Sequence, residues 1–263
     1  MTDPRLRAVL DDLALEGDWL DGLVTGLDED GWRTATPAEG WDVATSIAHL
    51  AWTDEVAAVA ATDKAGWDAV VLRALDDPGA LVDGEALAGG AVPPTQLLAR
   101  WRASRARLSD ALAAHDPATK LPWFGPPMSP TSMATARYME TWAHGLDIAE
   151  GLGVAVEPHD RVRHVVHIGV RTRGFSFASN GLPAPTEEVR VELRAPSGEL
   201  WEYGDEGAAQ RVTGQAWDFA LLVTQRRHRS DLAVTAEGEE ADRWLDVAQA
   251  FAGPSGGGRE PAG

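Results

Sequence analysis

The chain has 263 residues, enough for one large domain or two modest ones, and acidic residues outnumber basic ones 41 to 23 for a formal charge of −18. That balance argues against phosphate-backbone binding and against anionic membranes, both of which require clustered cations. With 44% hydrophobic residues a packed core is expected, and with no cysteine the chain offers no disulfide, zinc knuckle or cysteine nucleophile, so any thiol in its chemistry comes from outside.

No run of about 18 apolar residues is present, and with an amphipathic segment from the outset no signal peptide is expected. A cytoplasmic protein, monomer or homodimer, is expected. Asp3 caps and Pro4 opens a first helix, whose stripe of Leu6, Leu10, Leu13, Leu20, Val24 and Leu27 marks core out to about Leu27. Asp28 to Gly40 reads as polar turns ending at Trp41. A second helix starts at the N-cap Asp42, with Val43, Ile47, Leu50 and Ala57 inward. His49 lies at the edge of that side, on a stripe with Thr45, Thr53 and Val56, either as a hydrogen-bonded core histidine or as a ligand. Asp63 to Val92, rich in Gly and Asp, reads as a variable excursion with short helical patches. A third helix follows Pro93-Pro94 with Thr95 as cap and Leu97, Leu98, Trp101, Leu108 and Leu112 inward. Its Arg100, Arg102, Arg105 and Arg107 read as a solvated face.

The loop DPATKLPWFGPPMSP places five prolines around Trp123 and Phe124, either as a packed connector or as a pocket wall. It leads into SMATARYMETWAHGLDIAEGLG, read as one helix from Ser132, capped by Thr131 or Ser132 and stopped by Gly151 and Gly153. At about 100° per residue, Met133, Ala136, Glu140, His144 and Asp147 share one stripe. Glu140 and His144 are one turn apart, so a carboxylate and an imidazole point the same way. On an inward face both need a partner, because unpaired burial is costly; a metal ion is one candidate.

Beyond Gly153, Asp160 to Phe177 reads as helical. VRVEL and ELWEY flank Pro196-Ser197-Gly198 as a β-hairpin, Gln215 to Val223 reads as a helix, Asp231 to Thr235 as a short strand, and Glu239 to Phe251 as a last amphipathic helix. The fold class is therefore α+β. An all-α region at 1–155 precedes a smaller α/β region at 156–252, and a disordered tail occupies 253–263.

In a helix bundle, metal sites are built from facing helices. His49, Glu140 and His144 would make a His₂Glu set with an open position, the ligand count of a catalytic zinc site. The segments GWDVATSIAHLAW and ARYMETWAHGLDIAEGLG resemble the DinB-like metal-binding bundles, in particular the mycothiol-dependent maleylpyruvate isomerase group of actinobacteria. The shared pattern is Trp41 followed eight residues later by His49, then Glu140, His144 and Asp147 in an E-x₃-H-x-x-D run. RVTGQAWDFALLVTQRRHR is similar to the sterol-carrier-protein-like C-terminal domain that accompanies this bundle.

The resemblance implies a DinB-like four-helix bundle holding zinc or another divalent ion on His49, Glu140 and His144. It implies mycothiol as thiol cosubstrate, a small anionic substrate, and an arginine of the C-terminal domain, Arg226 or Arg227, as a catalytic carboxylate clamp. For either arginine a basic helix end is the competing view. Trp41 and Trp123 are assigned to cofactor binding. Asp147 either orients a ligand or is a surface carboxylate. The reaction classes in view are thiol-dependent cis–trans isomerisation, thiol S-transfer, and a metal-binding protein with hydrolytic, other metal-centred or no catalytic activity.

Overall fold

The computed structural model describes residues 3–75, 77–253 and 255–262. The chain divides into two compact units, Met1–Val156 and Glu157–Gly263.

The first unit is helical: α1 (Pro4–Val24), α2 (Glu29–Trp32), α3 (Val43–Thr62), α4 (Lys64–Ala74), α5 (Pro78–Gly90), α6 (Pro94–Ala113) and α7 (Pro130–Gly151). Aspartates start most of these helices, because a carboxylate satisfies the free N–H groups of the first turn. Asp42 accepts from the Thr45 N–H at 2.7 Å, Asp63 from Gly66 and Asp77 from Ala80. The long helices α1, α3, α6 and α7 pack on one another, and α3 also contacts α4 and α5. Its residues Val43, Ala44, Ile47, Ala48, Leu50 and Ala51 are fully buried, so α3 is a central helix that tolerates no polar side chain without a partner.

Several boundaries differ from those read in the sequence. Ser129, not Thr131 or Ser132, caps α7, with Pro130 in the first turn. Pro fits there because its missing N–H has no helical partner to lose. Pro93 occupies the cap position of α6 in place of Thr95. The first helix stops at Val24, and the supposed turn region holds the short α2. The 63–92 excursion contains two helices, and its glycines are contacts. A Cβ on Gly89 would stand 2.9 Å from the Ala48 Cβ, and one on Gly90 would stand 3.0 Å from the Thr45 backbone. Small residues thus let α5 approach α3. Three of the four arginines of α6 are anchored: Arg100 grips Glu55 at 2.7 and 2.8 Å, Arg102 grips Asp21, and Arg105 reaches Asp18 at 2.7 Å; Arg107 is exposed.

The second unit carries a mixed sheet, ordered β2-β1-β3-β4, of β1 (Val189–Arg194), β2 (Leu200–Tyr203), β3 (Gln210–Gln215) and β4 (Val234–Glu237). β1 and β3 are parallel, with Val191 opposite Val212; β1–β2 and β3–β4 are antiparallel. Its helices are α8 (Arg163–Arg171), α9 (Arg173–Ser179), α10 (Ala216–Val223) and α11 (Glu239–Val247). Val191, Leu193 and Val212 are buried, as are Phe219 and Trp244, whose rings meet edge to face at 5.6 Å. β3 was not anticipated, the last helix ends at Val247 rather than Phe251, and the last strand is Val234–Glu237 rather than 231–235. Residues 255–262 carry no regular secondary structure; Ala262 donates its N–H to Asp231 Oδ2 at 2.9 Å. No helix among the described residues is long and apolar enough to cross a membrane.

Candidate metal centre

Helices α3 and α7 bring three side chains together. His49 Nε2 stands 3.4 Å from Glu140 Oε2, and His144 Nε2 stands 3.5 Å from the same oxygen. Potential ligand atoms of all three lie within 4.8 Å of one another. Two imidazoles converge on one carboxylate oxygen at distances near the long limit of a hydrogen bond, beyond its usual length of about 2.7–3.2 Å. They match the separation of about 3.4 Å between ligands that each lie about 2.1 Å from a tetrahedral ion. The donor set, two nitrogens and one carboxylate oxygen, suits zinc and similar divalent ions. His49, Glu140 and His144 could therefore hold a metal.

The electrostatics point the same way. Burial pushes the His49 imidazole down to about 4, so it is neutral at neutral pH, as a ligand must be. Burial alone would raise the Glu140 carboxyl. The hydrogen bonds from His144 and His49, with the Arg137 charge, outweigh it and hold that carboxyl well below the usual range. The Nδ1 atoms of His49 and His144 are buried without a hydrogen bond. Asp147, 2% exposed, places Oδ2 3.6 Å from His144 Nδ1, on the opposite edge of the ring from Glu140.

Trp41 closes the site from the loop before α3. Its N–H donates to the Ala38 carbonyl at 3.0 Å, and its own carbonyl accepts from Thr36 at 2.9 Å. Gly40 makes the turn at φ 75°, where a side chain would be strained. The indole lies 5.1 Å from the His49 ring and 5.5 Å from that of His144. Trp123 stacks on Trp67 at 5.9 Å and makes an edge contact with Phe124 at 5.4 Å. Trp67 and Trp123 pack with Trp52 and Val56 of α3.

In the second unit Arg226 is half-buried and donates to the Thr224 carbonyl at 2.6 Å, while Arg227 is exposed and donates to the Arg226 carbonyl at 2.8 Å. Arg229 is committed to Asp242 and Asp246, each at 2.5 Å. The sequence reading missed Arg137 and Asp54. Their buried pair joins α3 to α7, with Nε 2.9 Å from Oδ1. An arginine one turn ahead of Glu140 on an inward stripe was the available signal.

A helical domain with a His/Glu/His group on facing helices is the class that fold and site define. The chain belongs to the mycothiol maleylpyruvate isomerase N-terminal domain family, whose model matches residues 13–149. A second model, described as wyosine base formation, matches residues 185–237, the stretch holding the four strands. Two uncharacterized proteins of Mycobacterium tuberculosis, MT0041 and Rv0036c, are each 54% identical over 248 residues, covering 94% of this chain and 96% of theirs. The crystal structure of the mycothiol-dependent maleylpyruvate isomerase is similar at a TM-score of 0.61 and 17% identity. A histidine-to-alanine mutant of it gives 0.60 and 18%. Each covers 89% of this chain and 95% of that one. At such identity the likeness is one of fold.

Proposed function

We propose that this protein is a zinc- or other divalent-metal-dependent enzyme that uses an external low-molecular-weight thiol, mycothiol. In this reading it isomerises the cis double bond of an unsaturated carboxylic acid of the maleylpyruvate type. The fold is then a DinB-like four-helix bundle followed by a sterol-carrier-protein-like domain, working in the cytoplasm on a small anionic molecule and not on nucleic acid or membrane. The observation that carries the reading is the convergence of His49 and His144 on one oxygen of Glu140 in a chain without cysteine.

A bound divalent ion would supply an open Lewis-acid position that favours the anionic form of a thiol. His49 presents a neutral imidazole nitrogen, His144 offers a second ring nitrogen, Glu140 adds the single negative charge, and Asp147 orients the His144 ring from its other edge. Trp41 covers both rings and limits water on that side. The thiol, when bound, would supply the nucleophile for addition to the cis double bond; rotation about the resulting single bond and elimination would return the thiol and leave the trans isomer. Arg226 or Arg227 binds a substrate carboxylate through a charge-assisted pair. S-transfer is the second reading, in which the adduct is kept; the same open ligand set and missing cysteine support it.

Cobalt-substituted protein tests the thiol step. Mycothiol should produce a near-ultraviolet sulfur-to-cobalt charge-transfer band and its S-methyl derivative none, and substrate should turn over only with the free thiol. Geometric isomer as product supports isomerisation; a stable thioether supports transfer. With neither band nor thiol-dependent turnover, the thiol reading is wrong and water activation takes its place.

A further inference from the structure

We propose that Arg137, with Asp54 and Thr53, is a positioning device for the metal group, a buried strut that fixes α3 against α7 at the level of the ligands. The inference rests on the metal reading above. Arg137 lies three residues before Glu140 on α7, and Asp54 lies five after His49 on α3. His49 meets Glu140 while Asp54 meets Arg137. Position numbers rise on one helix as they fall on the other, so the two helices run antiparallel and the strut sits about one turn from the ligands.

The bonds form a directed chain. Arg137 Nε donates to Asp54 Oδ1 at 2.9 Å and Nη2 donates to Thr53 Oγ1 at 2.6 Å. With that lone pair occupied, the Thr53 hydroxyl donates to the carbonyl of His49 itself, at 2.7 Å. One guanidinium on α7 therefore touches, through a single hydroxyl, the backbone of the ligand on α3. Both charged side chains are 3% exposed.

Stability does not explain such a pair. Removing two charges from water offsets most of their attraction, and well-packed apolar replacements are often neutral or stabilising. What apolar contacts lack is direction. Ala57 and Met133, which share a core cluster nearby, could slide past each other with little penalty, whereas a planar guanidinium held at two points allows one register. Ligands carried by two different helices depend on that register, since outer partners of metal ligands set affinity through orientation.

The test compares the full-length protein, stripped by a chelator, with three variants: the double replacement Asp54→Leu/Arg137→Met, the near-isosteric Thr53→Val and the single replacement Arg137→Lys. Zinc affinity is measured by competition with a chromophoric chelator, the ligand field by the cobalt(II) visible band, and fold by circular dichroism. The double variant should fold as wild type yet bind zinc at least about 10-fold more weakly, with a changed cobalt band. Thr53→Val should lose several-fold, and Arg137→Lys, which keeps the charge but not the fork, should fall between. If the wild type binds zinc and both the double variant and Thr53→Val bind it equally well, the strut is structural only and this inference is overturned while the metal reading stands. If the wild type takes up no divalent ion, both fall together. Should the double variant not fold, Thr53→Val decides alone.

Discussion

The indole of Trp41 lies almost parallel to the imidazole of His144, with ring centroids 5.5 Å apart and planes 17° apart. The same indole is tilted 53° to the His49 ring, and the two imidazoles stand 4.7 Å from each other. Each ring thus has an aromatic neighbour that restricts its rotation, and the loop holding Trp41 is tied down by its own backbone bonds. Imidazoles confined before a ligand arrives lose less freedom when it binds.

Trp41→Ala should therefore weaken zinc binding several-fold and lower unfolding stability by about 1–3 kcal/mol, two aromatic contacts at about 0.5–1.5 kcal/mol each. Trp41→Phe should retain most of both. Chelator competition and urea melts on the two variants check this, and equal behaviour of Trp41→Ala and wild type would remove Trp41 from the site.

The ligand set makes a direct prediction. Purified protein should carry about one divalent ion per chain, and His49→Ala, Glu140→Ala and His144→Ala should each lose most of it by elemental analysis. Full occupancy in all three variants would eliminate the site.

The site was legible because its signals are local. Asp42 as an N-cap fixes the phase of α3 and hence the direction of His49. Glu140 and His144 are one turn apart on a helix whose apolar residues mark its inner side. Cooperative features were hidden. β3 has a single buried apolar residue, Val212, while Arg211 pairs with Glu192 at 2.8 Å and Thr213 with Thr235 at 2.9 Å; a polar strand of this kind is defined only by its neighbours. The glycines of α5 read as loop because Gly disfavours isolated helices, yet Gly89 and Gly90 are where α5 touches α3. Arg137 resembled any helix arginine until Asp54, 83 positions away, was seen to pair with it.

The arginines after α10 separate by their contacts. Arg226→Ala or Arg227→Ala should cut turnover by roughly 10- to 150-fold, the loss of a charge-assisted pair of about 1.5–3 kcal/mol, without changing metal content. Arg229→Ala should lower stability and spare turnover, because Arg229 is held by Asp242 and Asp246. Wild-type turnover in both of the first two variants would place the carboxylate clamp elsewhere.

The metal-free protein should be unusually sensitive to mild acid, and the sign follows from His49. Its imidazole titrates near the ordinary 6.5 when unfolded but is pushed down by burial to about 4 in the fold. Between those values the unfolded chain holds a proton that the folded chain lacks, so stability rises with pH across the window and falls as pH drops from about 6.5 toward 4. A displacement of that size corresponds to roughly 3 kcal/mol. Glu140 acts in the same sense lower down. Its carboxyl is held below the ordinary 4.5, so its contribution is present above that value and is lost as pH falls beneath it. Urea melts of chelator-treated protein at several values between pH 4 and 7.5 should show this slope, and His49→Gln, which cannot take up the proton, should flatten its upper part. An unchanged slope in His49→Gln would mean that other groups, and not the buried imidazole, govern the acid response.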